Sequence, residues 1–555
     1  MSLSWSHALR LVWAAFLALV ITGPWLTPGY WFGTDWPGPR HITSPTEISS
    51  SLVLQAALAA LSSAIGGEAA SKAFIVGIIF AAGLLAFMAA PRRGFVGGAV
   101  AATIYVVNPF VYARLEYGQL YLLAGYALLP LVLLQTRRFL LRPSISTGLL
   151  AAVSLTLLGI PSLHLFLASP VLIGPLAVAH TLAASDRLRY LRRLLLPATV
   201  ALAATVATSA YWIIPLFTGH GPEGTRLTGI GQGDLTAFAA VPDAHLGLLP
   251  NLLGLYGFWA ENSGRFSAMK GFVPAWPAVL AVILAIAIFG ALRTASNGPD
   301  RTGSLVLGLS ATGLIALVLE MGVSHPLTAG IVHWLYANVP PYRGMRDAGK
   351  WAAMLALVYS QLVSLGSVAI LDALKTRVGP FNFESLAPVV TGVLLAVPLY
   401  YGNGLLYGAH GGIQPSTYPV GWYAADHVLA ADTHPGRTLF LPWHQYLGYD
   451  FIRNQNKVVV LPAASFFSVP IVGSTDPEVP GVTPPMDPDQ QVVSDLVLKG
   501  PDADWSSALK VRGIKYVLVA KELDWAKFGY LGSQRGLTIV GDFGSIILYR
   551  NTALV

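Results

Sequence analysis

The chain has 555 residues, of which 54% are hydrophobic and only 11% charged, and its mean hydropathy is +0.60. That balance excludes an ordinary soluble protein of this length and makes a lipid bilayer the solvent for most of the chain. The net charge of +7 does not point to nucleic acid, because the basic residues fall in short clusters between apolar runs, and the absence of cysteine excludes disulfides, thiolate catalysis and cysteine-ligated metal.

The first apolar run, from about Ala8 to Leu26, is long enough to span a bilayer. Gly29-Tyr-Trp-Phe-Gly-Thr-Asp-Trp follows it rather than a small-residue cleavage site, so it is expected to stay as the first helix. Apolar stretches of spanning length predict about eleven transmembrane helices, centred roughly near residues 18, 81, 101, 127, 152, 173, 205, 283, 312, 361 and 396. Basic clusters at Arg92-Arg93, Arg137-Arg138 with Arg142, Arg187 through Arg193, Arg293 with Arg301, and Lys375 to Arg377 recur after every second helix. The positive-inside rule then puts these clusters and the N-terminus in the cytoplasm. The long segments 28–71, 216–272 and 322–349 and the tail fall on the extracytoplasmic side. The apolar but short stretch Ser50 to Ile65 is predicted to lie along the membrane surface as a helix.

Asp35, in Phe32-Gly-Thr-Asp-Trp-Pro, sits just past the first helix between aromatic residues. Desolvation by Trp31 and Trp36 raises the proton affinity of such a carboxylate and suits it to act as a general base toward a hydroxyl; the alternative is a solvated turn residue before Pro37. Asn108-Pro-Phe-Val-Tyr-Ala-Arg-Leu-Glu-Tyr-Gly-Gln puts Arg114 and Glu116 in the outer turn between two helices, where they either orient a polar substrate or pair with each other or with Asp35. His164, at the outer end of the sixth helix, is a third orienting candidate, against the alternative of a hydrogen-bonded helix-end residue. His220, which lies outside the residues described below, Glu223, Asp234, Asp243, His245 and Glu261 are scattered through one loop without the spacing of a metal motif. No metal site is therefore predicted, and a divalent cofactor is left open.

Arg343, Arg346 and Lys350, in Tyr342-Arg-Gly-Met-Arg-Asp-Ala-Gly-Lys-Trp, stand at an outer helix start, against the positive-inside tendency. On a helix they share one face near its positive N-terminus, which makes a phosphate site; the alternative is a surface ion-pair set involving Asp347. In the tail, Arg437-Thr-Leu-Phe-Leu, Lys457-Val-Val-Val-Leu, Ile514-Lys-Tyr-Val-Leu-Val and Ser545-Ile-Ile-Leu-Tyr read as strands between turns. The predicted fold is mainly α: a polytopic transmembrane helical bundle over 1–405, followed by an extracytoplasmic α/β domain over 406–555. Trp443, His444 and Tyr446 are candidate sugar-stacking groups of that domain, or else part of its own core. There is no Walker sequence, and few ionisable residues fall inside the helices, which disfavours an ion-coupled transporter.

Together these features resemble the C-type (GT-C) membrane glycosyltransferases. The segment from Asn108 to Gln119, running into Leu123-Ala-Gly-Tyr-Ala-Leu-Leu-Pro, is similar to one in actinobacterial membrane proteins related to the arabinofuranosyltransferases, as are Tyr342 to Trp351, Phe440-Leu-Pro-Trp-His-Gln-Tyr and Pro462-Ala-Ala-Ser-Phe-Phe. Many of those proteins have Gly-His where this chain has Gly118-Gln119. The resemblance implies inverting transfer of a sugar from a polyprenyl-phosphate donor to a cell-envelope glycan, lipid or protein acceptor, at the outer face of the cytoplasmic membrane. Asp35 is the matching base, Arg343, Arg346 and Lys350 hold the donor phosphate, and Arg114, Glu116 and His164 orient the substrates. Trp443, His444 and Tyr446 meet the acceptor. A lipid-linked-oligosaccharide flippase and a non-catalytic envelope scaffold are the alternatives.

Overall fold

The computed structural model describes residues 2–91, 94–219, 221–266, 269–295, 301–375, 383–482, 484 and 487–554. Arg92, Arg93 and Arg377, part of the orientation argument, lie outside them. Among the described residues nine helices are long and apolar enough to cross a membrane, from His7–Leu26 to Glu384–Tyr401. The pair Phe95–Val106 and Pro109–Glu116, bent by 42°, makes a tenth span if counted as one. The helix expected near residue 152 is Ile145–Gly159, whose 15 residues fall short of the roughly 20 that a span needs. All eleven expected positions are thus helical, and the chain is a multi-pass membrane protein. Leu52–Ile65 is a separate 14-residue helix that leaves Val53, Leu61 and Ile65 exposed, as a helix lying on a membrane would.

The bend at residue 108 has a local cause. Pro109 has no N–H to continue the helix, and the Asn108 side chain closes both ends of the break. Its amide nitrogen donates to the carbonyls of Ile104 and Tyr105 at 2.9 and 2.8 Å, and its oxygen accepts from the Val111 amide at 3.0 Å. The most enclosed span is Ala348–Leu374, with 83% of its apolar window buried. Small residues let its neighbours approach: a β-carbon on Gly366 would lie 2.0 Å from the Ile286 carbonyl oxygen. The Ser360 and Ser364 hydroxyls donate to the carbonyls of Ala101 and Gly97 at 3.0 and 2.8 Å. Such close crossings replace the hydrophobic drive that lipid does not supply.

After Tyr401 the chain forms a mixed sheet flanked by helices. Strands β1 (Arg437–Leu441), β2 (Tyr446–Gly448), β3 (Val458–Val460), β4 (Ile471–Val472), β5 (Ile514–Ala520), β6 (Leu537–Asp542) and β7 (Ile546–Asn551) follow in chain order. The main sheet runs β4-β1-β5-β7-β6, parallel from β4 to β5 and antiparallel beyond, while β2 and β3 pair separately. Its faces are covered by two apolar clusters, one around Trp422, Phe440 and Phe466 and the other around Trp505, Leu509 and Val517.

This domain grips the segment that leaves the first helix. Tyr30 bridges to Ser416, the Asn454 amide donates to the Phe32 carbonyl at 2.9 Å, and the Tyr418 hydroxyl reaches the Pro37 carbonyl at 2.9 Å. Arg40 pairs with the buried Asp426 at 2.6 Å and lies over the Tyr423 and Phe466 rings. Asp426 also accepts from the Ser468 amide and hydroxyl, each at 2.8 Å. Asp426→Ala strips both groups of their acceptor and is expected to cost about 2 kcal/mol. Faster limited proteolysis of the tail at unchanged helical circular dichroism checks this; unchanged proteolysis refutes it.

A candidate active site around Asp35

The site begins as a tight turn. Trp31 and Phe32 are fully buried, and Gly33 and Trp36 exchange backbone hydrogen bonds of 3.0 and 2.9 Å, leaving Thr34 and Asp35 at the tip. The turn lies flat against Gly118. A β-carbon on Gly33 would stand 2.6 Å from the Gly118 Cα, and one on Gly118, whose φ is +79°, would stand 2.8 Å from the Trp36 nitrogen. At this approach the Asp35 amide donates to the Tyr117 carbonyl at 2.7 Å, while the Val460 amide of β3 donates to the Thr34 carbonyl at 2.7 Å. The turn is held from the membrane bundle on one side and from the tail on the other.

The half-buried Asp35 carboxylate takes two hydrogen bonds, from the Tyr446 hydroxyl to Oδ1 at 2.8 Å and from Gln119 Nε2 to Oδ2 at 3.2 Å. Arg114 decides which way the Gln119 amide faces, because its Nη1 donates to Gln119 Oε1 at 2.7 Å and leaves only the NH2 for Asp35. Arg114, 1% exposed, is itself paired with Asp347 at 2.7 Å and lies 4.4 Å over the Phe258 ring. Burial pushes the Asp35 carboxyl above its ordinary range, against the restraint of Tyr446, Gln119 and Arg114, with Asp347 adding to the rise. Such a carboxylate holds a proton more tightly than an ordinary aspartate, as a base working near neutral pH must. Burial and the neighbouring Asp35 drive the Tyr446 phenol well up, so it stays protonated and donates.

On the other side of the Arg114–Asp347 pair is a group of cations. His164, in the first turn of Leu163–Ala183, has Lys350, Arg346, Arg114 and Arg226 as its charged neighbours. A β-carbon on Gly344 would sit 4.0 Å from its ring. Lys350 Nζ donates to the Gly344 carbonyl at 3.1 Å, and Arg346 pairs with the buried Asp234 and lies 4.6 Å over Phe238. No three His, Asp or Glu side chains gather as a metal-binding set among the described residues.

The structure corrects several expectations. Arg343, Arg346 and Lys350 do not share a helix face, because Pro340–Met345 and Ala348–Trp351 are two 3-10 turns separated by extended backbone at Asp347, and the α-helix starts only at Ala352. Arg343 points away to Tyr336, 5.5 Å from its ring, whereas Arg346 and Lys350 stay near His164. Asp347 pairs with Arg114 instead of a base of its own segment. Arg114 and Glu116 are in a buried short helix, Pro109–Glu116, rather than an open turn. Trp443 and His444 do not reach Asp35: the Trp443 indole donates to Ser494 Oγ at 3.0 Å inside the tail's core, and His444 pairs with Glu478 at 2.7 Å. Tyr446 alone of the three meets the site, as a hydrogen-bond donor. Gln119 and Asp234 were named without a role at this site, and Arg226 was not read at all. Only Gln119, at the Gly-His position, carried a signal.

The site is thus a loop carboxylate of a helical membrane bundle, held from above by the sheet-containing tail and near a cationic group that shares the buried Arg114–Asp347 pair. Neither the family models nor the curated proteins give a match. Among solved structures, the arabinofuranosyltransferase AftD from Mycobacteria aligns with 99% of this chain and 40% of its own, at TM-score 0.56 and 16% identity. A mutant of the same protein gives TM-score 0.59 at 17% identity, with 42% of its chain covered. The chain thus spans about two fifths of the length of those structures and shares their fold.

Removing Arg114 tests the arrangement directly. Arg114→Met leaves Asp347 buried without its partner, and a loss of about 3–5 kcal/mol is expected, read as a collapse of the monodisperse peak in size-exclusion chromatography. The double variant Arg114→Met with Asp347→Leu recovers most of that peak. Equal loss in both would refute a structural role for the pair.

Proposed function

We propose that the chain is a membrane glycosyltransferase that moves a glycosyl unit from a polyprenyl-phosphate donor to a cell-envelope acceptor on the extracytoplasmic face, with inversion at the anomeric carbon. The observation that carries this reading is the proton-avid Asp35, held by Tyr446 and Gln119, one buried ion pair away from Lys350, Arg346 and His164. In the proposed reaction Asp35 takes the proton of the acceptor hydroxyl as its oxygen bonds to the anomeric carbon. The bond from that carbon to the phosphate oxygen breaks, and the electron pair leaves on the lipid phosphate. Lys350 and Arg346 neutralise the leaving phosphate as charge develops on it, and His164 offers it a hydrogen bond. Arg114 acts through Gln119 as a positioning residue. The N-terminus is cytoplasmic in this reading, and the fold shared with an arabinofuranosyltransferase supports the reaction class.

Asp35→Asn and Arg346→Ala, each expressed in a deletion strain at wild-type abundance, are expected to lose an envelope glycan and accumulate a polyprenyl-phosphate sugar, both read by mass spectrometry. Wild-type glycans from both variants would sink the assignment and favour a transporter or scaffold.

The pH profile gives an independent check. Tyr446→Phe removes a donor that favours ionised Asp35, so the proton affinity of Asp35 rises and the base form appears only at higher pH. The acid limb of kcat/KM is expected to move up by about one pH unit. A limb that stays in place or moves down rules Tyr446 out as the partner of the base.

A further inference from the structure

Residues 474–482 leave the tail's core and return to the membrane bundle as a strap. Its root is tied by the Thr475 amide, which donates to Gln490 Oε1 at 2.8 Å. Its tip is the turn Val479-Pro480-Gly481-Val482, closed by a 3.0 Å hydrogen bond from the Val482 amide to the Val479 carbonyl. Proline in the second place and a glycine at φ +85° in the third are what a type II turn requires, so the tip is rigid. That tip stands against the bundle at Gly233. A β-carbon on Gly233 would lie 2.2 Å from the Gly481 carbonyl oxygen, and one on Gly481 would lie 3.4 Å from the Gly233 carbonyl oxygen, so backbone rests on backbone. Gly233 belongs to the short helix Gln232–Ala237, whose next residue, Asp234, pairs with Arg346.

Between root and tip the strap is pinned on the Asp35 side. His444 Nδ1 meets Glu478 Oε1 at 2.7 Å, and two residues beyond His444 the Tyr446 hydroxyl donates to Asp35. Cα atoms two residues apart lie within about 7 Å, and those of Glu478 and Gly481 within about 11 Å. The strap therefore runs from beside the partner of the base to the helix that holds Arg346. The pin at Glu478 is built to release. Both partners are partly exposed, which makes the pair weak, and Glu478 is held at φ +52°, a left-handed conformation that costs a non-glycine residue. His444 attracts Glu478 as an ion pair only while protonated. On its other side Asp524 stands 3.5 Å from Nε2 and is itself paired with Lys527 at 2.8 Å. The hydrogen bond to Glu478, acting against burial and helped by the charges of Glu478 and Asp524, raises the His444 proton affinity above the ordinary histidine range. The pair is thus fully formed below that range and is lost as pH rises through the raised value.

We infer that residues 474–482 are a gate between Asp35 and the Arg346 cation group, latched by the His444–Glu478 pair and seated at Gly233, which shuts during transfer and lifts to admit the acceptor. The inference rests on the transferase reading for what passes beneath the strap, but not for its motion. In that reaction the glycosyl unit travels between the same two poles that the strap joins. Water admitted there would attack the anomeric carbon in place of the acceptor, so closure protects the donor.

The chain has no cysteine, so the pair Gln232→Cys with Val479→Cys takes spin labels at those two places alone. With the strap seated, their Cα atoms are within about 16 Å. The full chain in lipid nanodiscs is expected to show dipolar broadening in its electron paramagnetic resonance spectrum at about pH 6, and to lose most of it at about pH 9. Adding His444→Ala is expected to lose the broadening at both. Should His444→Ala not fold, the pH series with the histidine in place decides. Equal broadening at the two pH values overturns the latch. In spheroplasts of the complemented deletion strain, a bis-maleimide joining the two cysteines is expected to stop incorporation of the envelope glycan, while each single-cysteine variant keeps it; incorporation that persists with the cysteines joined overturns the gate. If the broadening fails to change while Asp35→Asn abolishes transfer, the gate alone fails. If the broadening changes as expected while Asp35→Asn retains transfer, the motion of the strap stands and the transferase reading fails.

Discussion

A guanidinium cannot shed its charge inside a protein, and Arg114 is 1% exposed, so its surroundings must supply the counter-charge; among the described residues its two terminal nitrogens find acceptors and Nε does not. Asp347 comes from 233 residues further along the chain, and the rings of Phe110 and Phe258 cover the guanidinium at 5.3 and 4.4 Å. Meeting that demand fixes much else. The backbone at Asp347 is extended, which divides the Pro340–Met345 and Ala348–Trp351 turns and sets where the long central helix begins. The amide of Gln119 is turned, and through it the lone pairs of Asp35. A second buried acid, Glu320, has the same guanidinium as a charged neighbour and neither carboxylate oxygen hydrogen-bonded among the described residues.

The bundle and the tail are one unit at this point. The Trp25 indole donates to the Ile413 carbonyl at 3.0 Å, Asn456 reaches Thr34, and Val460 pairs with the Thr34 carbonyl, so the turn carrying Asp35 is a seam between the two. The environment of the carboxylate is therefore composed from three distant stretches of chain: its own turn, the helix ending at Glu116 with Tyr117 to Gln119, and β2. Each contributes a different physical effect. The aromatic residues remove water, Gln119 and Tyr446 donate hydrogen bonds, and the Arg114–Asp347 pair supplies a fixed charge pattern with a small net field. Displacing the tail would return Asp35 toward an ordinary aspartate, which ties the base strength to the closed arrangement.

Much of the fold was legible because membrane solvation imposes a simple rule. A span must be long and apolar, so all eleven expected positions proved helical, and Leu52–Ile65 is the separate short apolar helix expected from its length. The four sequence-predicted strands are β1, β3, β5 and β7, where β-branched and aromatic residues concentrate. Strand β6, Leu537-Thr-Ile-Val-Gly-Asp, was not read. It is an edge strand with exposed residues, and its strand state comes from pairing with β7 rather than from its own pattern. The break at Asn108 and the burial beyond it were not read, because the segment with Arg114 and Glu116 had been taken as an outer turn between two helices.

For the site, the sequence determined residue types and their rough location: an acid past the first helix, bases before a late one, and a Gly118-Gln119 step in a motif. Those depend only on composition, spacing and distance from the membrane. Partnership was decided by the tertiary structure alone. That Asp347 belongs to Arg114, Asp234 to Arg346 and Tyr446 to Asp35 depends on which side chains are desolvated together, across separations of 233, 112 and 411 residues. A buried charge takes the partner that packing brings to it, and no local pattern along the chain encodes that meeting.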